Sequence, residues 1–274
     1  MSRRNHSVLP GFYLALGYTL LYLGIIVLIP FGGLFVRAAQ TPISELWHLA
    51  VNDKAIAAYR LTFGCSLVAA SINAVVGTWI AWVLSRYEFP GRRIADALID
   101  FPFALPTAVA GLTLAKLFDP HGWIGSSLAA LGIQVVLTAK GIVLALTFVG
   151  LPFVVRTLQP VIEQLEIEAE EAAASLGAHR GYTFRRVIVP ALFPAILTGF
   201  AMAFARAIGE YGSVIFVAGN KPYVSQIAPA LIVSYLENFE YDGAIAVALV
   251  LLMLSMLLLL SVNLLERWSS RFLR

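Results

Sequence analysis

Long apolar runs separated by short polar segments dominate this chain. Each of six stretches approaches or exceeds the roughly 20 helical residues needed to cross about 30 Å of hydrocarbon. We predict membrane spans at 12–36, 60–84, 98–118, 138–157, 191–217 and 244–265. Backbone groups left unpaired in lipid are costly, so these spans must be helical. The pattern predicts an all-α integral membrane protein, a six-helix bundle.

The third predicted span differs from the others because it carries Asp100, Pro102 and Pro106 in its first half. Proline removes a backbone donor and clashes with the preceding turn. We therefore expect a kinked or partly unwound entry into the membrane there.

The outer connections, 37–59 and 218–243, are longer than tight turns, and we expect short interfacial helices in both. The stretch 227–236 is apolar but too short to cross. We divide the chain into 1–58 (tail, first helix and outer amphipathic segment), 59–266 (transmembrane core, with a loop at 158–190) and 267–274 (basic tail). No small-residue cleavage site follows the first apolar run, so we expect a retained helix rather than a removed signal peptide.

Composition agrees with a membrane protein: 59% of residues are apolar, 13% are charged and the mean hydropathy is +0.83. A lone cysteine, Cys65, excludes a disulfide framework within the chain. Twelve of the nineteen basic residues fall on one side if both termini are cytoplasmic: Arg3, Arg4, Arg86, Arg92, Arg93, Arg156, Arg180, Arg185, Arg186, Arg267, Arg271 and Arg274. The positive-inside rule therefore places both termini and the loop 158–190 in the cytoplasm.

Small residues recur every four positions in two spans, which favours close helix packing. These series are Ser66-Ala70-Ala74-Thr78, Gly199-Ala203-Ala207 and Ala201-Ala205-Gly209-Ser213. Asn73 is a lone polar residue in the second span, a position typical of a contact between helices.

Two ionisable residues, Arg206 and Glu210, lie one helical turn apart in the fifth span. A charge at the centre of a membrane helix costs about 2.5–3.5 kcal/mol on insertion scales, so both must face protein or water. Because arginine four residues before glutamate is the less favourable order, we expect each to seek a partner on another helix. Arg206 can offer a fork of donors to a passing anion. A structural pair that joins helices or subunits is an equal alternative.

The third span offers further candidates for a translocation path. Pro106, Thr107 and Thr113, with Pro102 and Gly111, are expected to leave backbone N–H groups and hydroxyls toward a central cavity, as broken membrane helices do when they bind anions. Asp100 either caps this span or pairs with an arginine on the cytoplasmic side.

The sequence lacks a phosphate-binding Gly-x-x-x-x-Gly-Lys-Ser/Thr loop, metal-ligand spacing and a nucleophile with its base. We therefore predict a non-catalytic subunit with no cofactor of its own. If the protein pumps actively, another polypeptide must bind ATP and magnesium.

A charged segment interrupts the apolar pattern between the fourth and fifth spans. Five carboxylates occur in the nine residues 163–171, and the charge then turns basic at Arg180, Arg185 and Arg186. This water-soluble helical stretch is typical of a docking element that meets a charged partner outside the membrane.

The same segment carries a family motif. Glu171-Ala172-Ala173, three residues, Gly177, nine residues and Val187-Ile188-Val189-Pro190 resemble the EAA loop of ABC importer permeases. Other stretches make nearly the whole chain similar to the sulfate/thiosulfate permeases of T or U type: Val8–Phe12, Asp100–Ala115, Pro152–Thr157, Gly209–Gly212 and Ala218–Asn220.

The resemblance implies a type I importer fold with a cytoplasmic coupling helix between spans four and five. It also implies partners: a related second permease of W type, two ATP-binding cassette subunits and a periplasmic or surface sulfate-binding protein. A short helix around 168–176 would sit in a cleft of the ATPase, with Glu171 on a basic residue and Gly177 allowing the turn that follows. The coupling residues implied are Glu168, Glu171, Ala172, Ala173, Leu176, Gly177, Arg180 and Phe184.

Two alternatives stay open. A permease for another oxyanion, molybdate or tungstate, shares the stretch Gly209–Gly212. An ion-coupled secondary transporter or channel would transport without ATP and would need intramembrane carboxylates, for which Glu210 is the only deep candidate.

Overall fold

The computed structural model describes residues 11–165 and 167–272, and it describes only the backbone of 167–169, 263 and 265–272. The predicted tail at 1–10, most of the Val8–Phe12 motif and the last two residues of the predicted basic tail lie outside the described residues. The predicted coupling residue Glu168 is described by its backbone only.

Every regular element in the described ranges is helical, which confirms the predicted all-α class. In chain order the helices are α1 (Phe12–Ala39, with a π-helical turn at Gly24–Leu28), α2 (Ile43–Ala50), α3 (Asp53–Arg86), α4 (Arg92–Ile99), α5 (Phe101–Ala104), α6 (Thr107–Phe118), α7 (Gly125–Ala130), α8 (Ala139–Glu163), α9 (Ile167–Ser175), α10 (Arg180–Ile208, with a π-helical turn at Phe184–Ile188), α11 (Gly212–Ala218), α12 (Ala228–Glu237) and α13 (Tyr241–Phe272).

Five helices in the described part are long and apolar enough to cross a membrane: α1, α3, α8, α10 and α13. The third apolar stretch is instead divided, because α5 ends at Ala104 and α6 begins at Thr107. Pro106 stands directly before the new helix with a ψ of 133°, outside the helical range. The expected broken entry of this span is therefore confirmed.

The fifth span is also broken, and here the prediction of one helix over 191–217 is wrong. α10 ends at Ile208, residues 209–211 are not helical, and α11 begins at Gly212. The Glu210 carboxylate accepts hydrogen bonds from the backbone N–H of Ser213 (2.9 Å) and from its hydroxyl (3.0 Å). It thereby caps a new helix start, because an acceptor at this position satisfies a first-turn donor.

The bundle core consists of α3, α8 and α10, which make the most extensive contacts between helices. Small residues allow the close approach that the sequence predicts. A Cβ added to Gly77 would lie 2.8 Å from Val154 Cγ1, and one added to Gly199 would lie 3.2 Å from Val154 Cα. Gly199 of the predicted series therefore lies at a packing contact, as does Gly77 outside them. Other members of the series are buried: Ser66, Ala70, Ala201, Ala203 and Ala207.

A second contact brings the two broken spans together, because α6 packs along α11. A Cβ on Gly111 would lie 2.4 Å from the Ser213 carbonyl oxygen, so only glycine permits this approach. The break before α6 and the break before α11 consequently lie side by side within the bundle.

We call the end of the bundle that carries residues 87–100 and 164–188 the inner end and the opposite end the outer end. Both predicted outer helices are present, as α2 and α12. Helix α12 is half-buried on α3 and α13, with Ala228, Leu231 and Tyr235 in a common core. Helix α1 packs on the bundle only near its outer end, where Ala38 is buried, and its other apolar side chains are largely exposed.

Candidate functional site

The EAA segment forms a short helix that ends in a defined turn. After α9, the N–H of Gly177 bonds to the carbonyl of Ala174 and the N–H of Ala178 bonds to that of Ala173. Gly177 has a φ of +81°. This pair of hydrogen bonds is the Schellman arrangement, which needs a residue that tolerates positive φ. The turn expected at Gly177 is therefore present.

The residues around this turn present an exposed surface at the inner end. The Leu176 side chain is 89% exposed. Glu171, Ala172 and Arg180 are also exposed, whereas Ala173 is half-buried. We call residues 167–177 the coupling segment. Its exposed residues include a carboxylate, that of Glu171, and an apolar side chain, that of Leu176.

Phe184, another predicted coupling residue, has an internal contact. Its ring lies 6.2 Å from that of Trp82 on α3, at an interplanar angle of 88°. Glu170 is also directed inward, because its Oε1 accepts a hydrogen bond from Arg86 Nη2 at 2.8 Å. Sequence reasoning missed Glu170, since five neighbouring carboxylates do not show which one faces the bundle.

A second ionic cluster at the inner end shows whether Asp100 caps the third span or pairs with an arginine. Arg156 of α8 donates from Nε to Asp100 Oδ1 (2.8 Å) and from Nη1 to Asp96 Oδ1 (2.7 Å). Gln159 donates to the same Asp96 oxygen at 2.9 Å. Asp100 therefore pairs with an arginine and does not cap the span. The cluster ties α8 to the connection that leads into the broken third span.

The pKa of the Asp96 carboxyl lies below its ordinary value, because Gln159 and then Arg156 donate hydrogen bonds to it. A lowered pKa keeps this carboxylate ionised. The Asp96 carboxylate consequently remains charged and paired with Arg156 at neutral pH.

Arg206 and Glu210 pair with each other. Arg206 Nη1 lies 2.7 Å from Glu210 Oε2, so the expectation that each seeks a partner on another helix is wrong. The break at 209–211 takes Glu210 off the regular helix. The rule that arginine four residues before glutamate pairs poorly applies to regular helices, so it does not apply here. The Glu210 side chain is only 2% exposed, whereas that of Arg206 is 36% exposed. The arginine side chain is therefore the partly exposed member of the pair, and the carboxylate is the buried one.

Thr107 lies at the same break. A Cβ added to Gly212 would meet Thr107 Oγ1 at 2.2 Å, so the first turn of α6 stands directly against the start of α11. Pro106 is the N-cap residue of α6, and its side chain gives this helix no capping hydrogen bond. The first backbone N–H groups of a helix lack intrahelical acceptors. The structure therefore places Thr107 against the helix start that follows Glu210, and Arg206 is linked to this break through its ion pair with Glu210.

Thr113 does not join that group. Its hydroxyl donates to the carbonyl of Val109 at 2.9 Å, and its side chain is exposed. It lies farther along α6, in a pocket of about 510 Å³ that also contains Lys116 and Trp123. The predicted path residues thus divide between the breaks and this second pocket.

Asn73 is buried without a hydrogen-bond partner in the described part of the chain, on either its oxygen or its nitrogen. A Cβ on Gly150 would lie 2.5 Å from Asn73 Nδ2, so the amide fits against a glycine of α8. Asn73 therefore joins α3 and α8 by packing and not by a hydrogen bond in the described part of the chain.

The sequence matches a family of membrane transport proteins and several of its relatives. Residues 73–274 match the family model of the binding-protein-dependent transport system inner membrane component. The chain is 51% identical over 255 residues to the sulfate transport system permease protein CysT of Synechococcus elongatus, covering 93% of this chain and 92% of that protein. It is 47% identical over 268 residues to CysT of Escherichia coli, covering 98% and 96%.

Solved structures show the same fold at low sequence identity. The bacterial ABC transporter involved in the import of alginate superposes with a TM-score of 0.78 at 15% identity, covering 93% of this chain and 94% of that one. The same kind of transporter in complex with an alginate pentasaccharide-bound periplasmic protein gives a TM-score of 0.76 at 18% identity, with 93% of each chain covered.

The family match covers most of the chain, and the solved structures share its fold. The chain belongs to the family of binding-protein-dependent transport system inner membrane components.

Proposed function

We propose that this chain is the transmembrane permease subunit of an ATP-driven importer that carries sulfate and thiosulfate into the cytoplasm. The observation that carries the substrate is the identity of 47–51% to relatives named sulfate transport permeases, over 93–98% of this chain. An alignment over that share of the chain covers the coupling segment and the breaks before α6 and α11.

The proposed partners are those that the resemblance to ABC importer permeases implies. Two ATP-binding cassette subunits bind ATP and magnesium, and one of them receives the exposed side of the coupling segment. A related second permease of W type completes the membrane part, and a periplasmic or surface sulfate-binding protein delivers the anion to the outer end. This chain itself is non-catalytic, and both of its termini are cytoplasmic.

The coupling segment suits a docking role because its exposed side offers two kinds of contact. The apolar Leu176 side chain gains by leaving water for a cleft. The Glu171 carboxylate can form a charge-assisted hydrogen bond with a basic residue of the ATPase. The Schellman turn at Gly177 fixes the orientation of both side chains relative to α10.

The breaks before α6 and α11 suit an anion path. A sulfate dianion is strongly disfavoured in hydrocarbon unless donors replace its water. The uncapped start of α6 offers backbone N–H groups and the positive end of the helix dipole. The partly exposed Arg206 adds a full positive charge, while buried Glu210 holds it in position.

A transport assay tests this function. The complete complex is copurified, placed in lipid vesicles and supplied with the binding protein, labelled sulfate and internal ATP. We expect uptake that requires ATP, is reduced by excess unlabelled thiosulfate and is unaffected by equal molybdate. Uptake without ATP would favour a secondary transporter, and competition by molybdate as strong as that by thiosulfate would favour a general oxyanion permease.

A further inference from the structure

The inner end of α3 is joined to the coupling segment through Arg86, its last residue. The guanidinium donates from Nη2 to Glu170 Oε1 at 2.8 Å. Its carbon lies 5.2 Å from the centroid of the Trp82 ring, within the range of a cation–π contact. The Arg86 and Glu170 side chains are 19% and 32% exposed, so both are partly withdrawn from water.

The same Trp82 ring makes the edge-on contact with Phe184. Glu170 lies before the turn at Gly177 and Phe184 lies after it. The end of α3 therefore holds the coupling segment on both sides of its turn. We call Trp82, Arg86, Glu170 and Phe184 the inner clasp.

The clasp is the principal tether of a segment that is otherwise exposed. In the described part of the chain, the Arg86–Glu170 pair is the one ion pair that joins residues 167–177 to the bundle. Exposed ion pairs contribute little, about 0.2–1 kcal/mol. Here partial burial and stacking on Trp82 strengthen the pair, because a desolvated guanidinium over an indole ring adds a cation–π term.

The other end of α3 is fixed to the outer end of the protein. The Ala228 N–H donates to Thr62 Oγ1 at 2.8 Å, which attaches the start of α12. Asn52, the residue that caps α3, donates to the Tyr235 hydroxyl at 3.2 Å. Helix α3 has 34 residues and contains no proline, so it is one rod of about 50 Å. It connects the coupling segment with the outer helix α12.

We propose that the inner clasp makes α3 the element that transmits movement of the coupling segment to the outer end, with Arg86 as the positioning residue. This inference rests on the proposed function, and it assigns different partners to two neighbouring carboxylates. Glu171 faces the ATPase, and Glu170 faces Arg86. When the ATPase subunits close and move the coupling segment, the clasp makes α3 and α12 move with it. Without the clasp, the segment moves against α3 and ATP is spent without transport.

Charge reversal tests the clasp. In the reconstituted complex, Arg86→Glu and Glu170→Arg are each expected to lower the sulfate transported per ATP hydrolysed by about tenfold, because each opposes like charges at a fixed contact. The double variant Arg86→Glu with Glu170→Arg restores the opposite charges, and we expect it to recover to within about threefold of the wild type.

Arg93→Glu is the matched control. It makes the same charge change at an exposed residue of α4 that forms no ion pair in the described part of the chain. We expect it to keep the wild-type ratio of transport to hydrolysis. Copurification of the ATPase, measured for every variant, separates loss of coupling from loss of assembly.

Neutral variants test the clasp even if a reversed charge prevents assembly of the complex. Arg86→Gln and Trp82→Leu remove the ion pair and the stacking surface without like-charge repulsion, and both should lower the same ratio. The inference is overturned if these variants assemble and keep the wild-type ratio, or if the double reversal is no better than the single ones. Failure of the wild-type complex to take up sulfate with ATP would instead overturn the proposed function.

Discussion

The variant Glu171→Lys is expected to lose ATP-driven uptake while the protein still inserts into the membrane. Glu171 is exposed, and its carboxylate forms no ion pair in the described residues. Removing one partner of a desolvated charge pair at an interface costs about 2–5 kcal/mol. That cost corresponds to a loss of about 30-fold to several thousandfold in binding. Lysine adds repulsion against a basic partner, so we expect a loss in the upper part of this range.

Measurement of this prediction needs uptake, ATPase copurification and the amount of permease in the membrane fraction. Glu88→Lys serves as the control, because Glu88 is exposed at the same inner end and forms no ion pair in the described part. The control should transport like the wild type. Normal uptake by Glu171→Lys would refute the docking role of this residue.

The second large effect is expected for Arg206→Gln. A hydrogen bond between a charged group and its partner contributes about 1.5–3 kcal/mol. Loss of that contact to a passing anion should lower sulfate uptake by about tenfold to 150-fold. Assembly should fall much less, because Glu210 keeps its two hydrogen bonds from Ser213. Uptake is compared with the amount of complex that copurifies.

Arg206→Lys refines this prediction. Lysine keeps the charge but not the fork of donors. We therefore expect an intermediate rate if Arg206 contacts the anion. Equal losses of uptake and of assembled complex in Arg206→Gln would instead assign Arg206 and Glu210 to a structural pair.

The periodic apolar pattern predicted most of the fold because span length and helicity follow directly from the thickness of hydrocarbon. Pro106 signalled its break, since proline acts on the backbone locally. The second break had a weaker signal. Gly209 and Gly212 lie on either side of Glu210, but Gly209 also fits a continuous small-residue series. Only the hydrogen bond that the Ser213 N–H donates to Glu210 shows where the helix restarts.

The local geometry of the coupling segment was likewise predictable only in part. Gly177 is a local signal, because positive φ favours glycine whatever surrounds it. The partners of Glu170 and Asp100 depend on contacts 84 and 56 residues away along the chain, and one sequence contains no measure of such contacts. The pairing of Arg206 with Glu210 was misjudged because the rule for regular helices was applied across a break.

The central claim is that an exposed coupling segment of this permease docks into a separate ATPase subunit. Its most direct test places a photo-crosslinking amino acid at position 176, where the leucine is exposed, and a second one at position 131 near the outer end. Illumination of the assembled complex should link position 176, and not position 131, to the ATPase subunit. A complex that transports sulfate with ATP but shows no ATPase crosslink from position 176 would contradict the account.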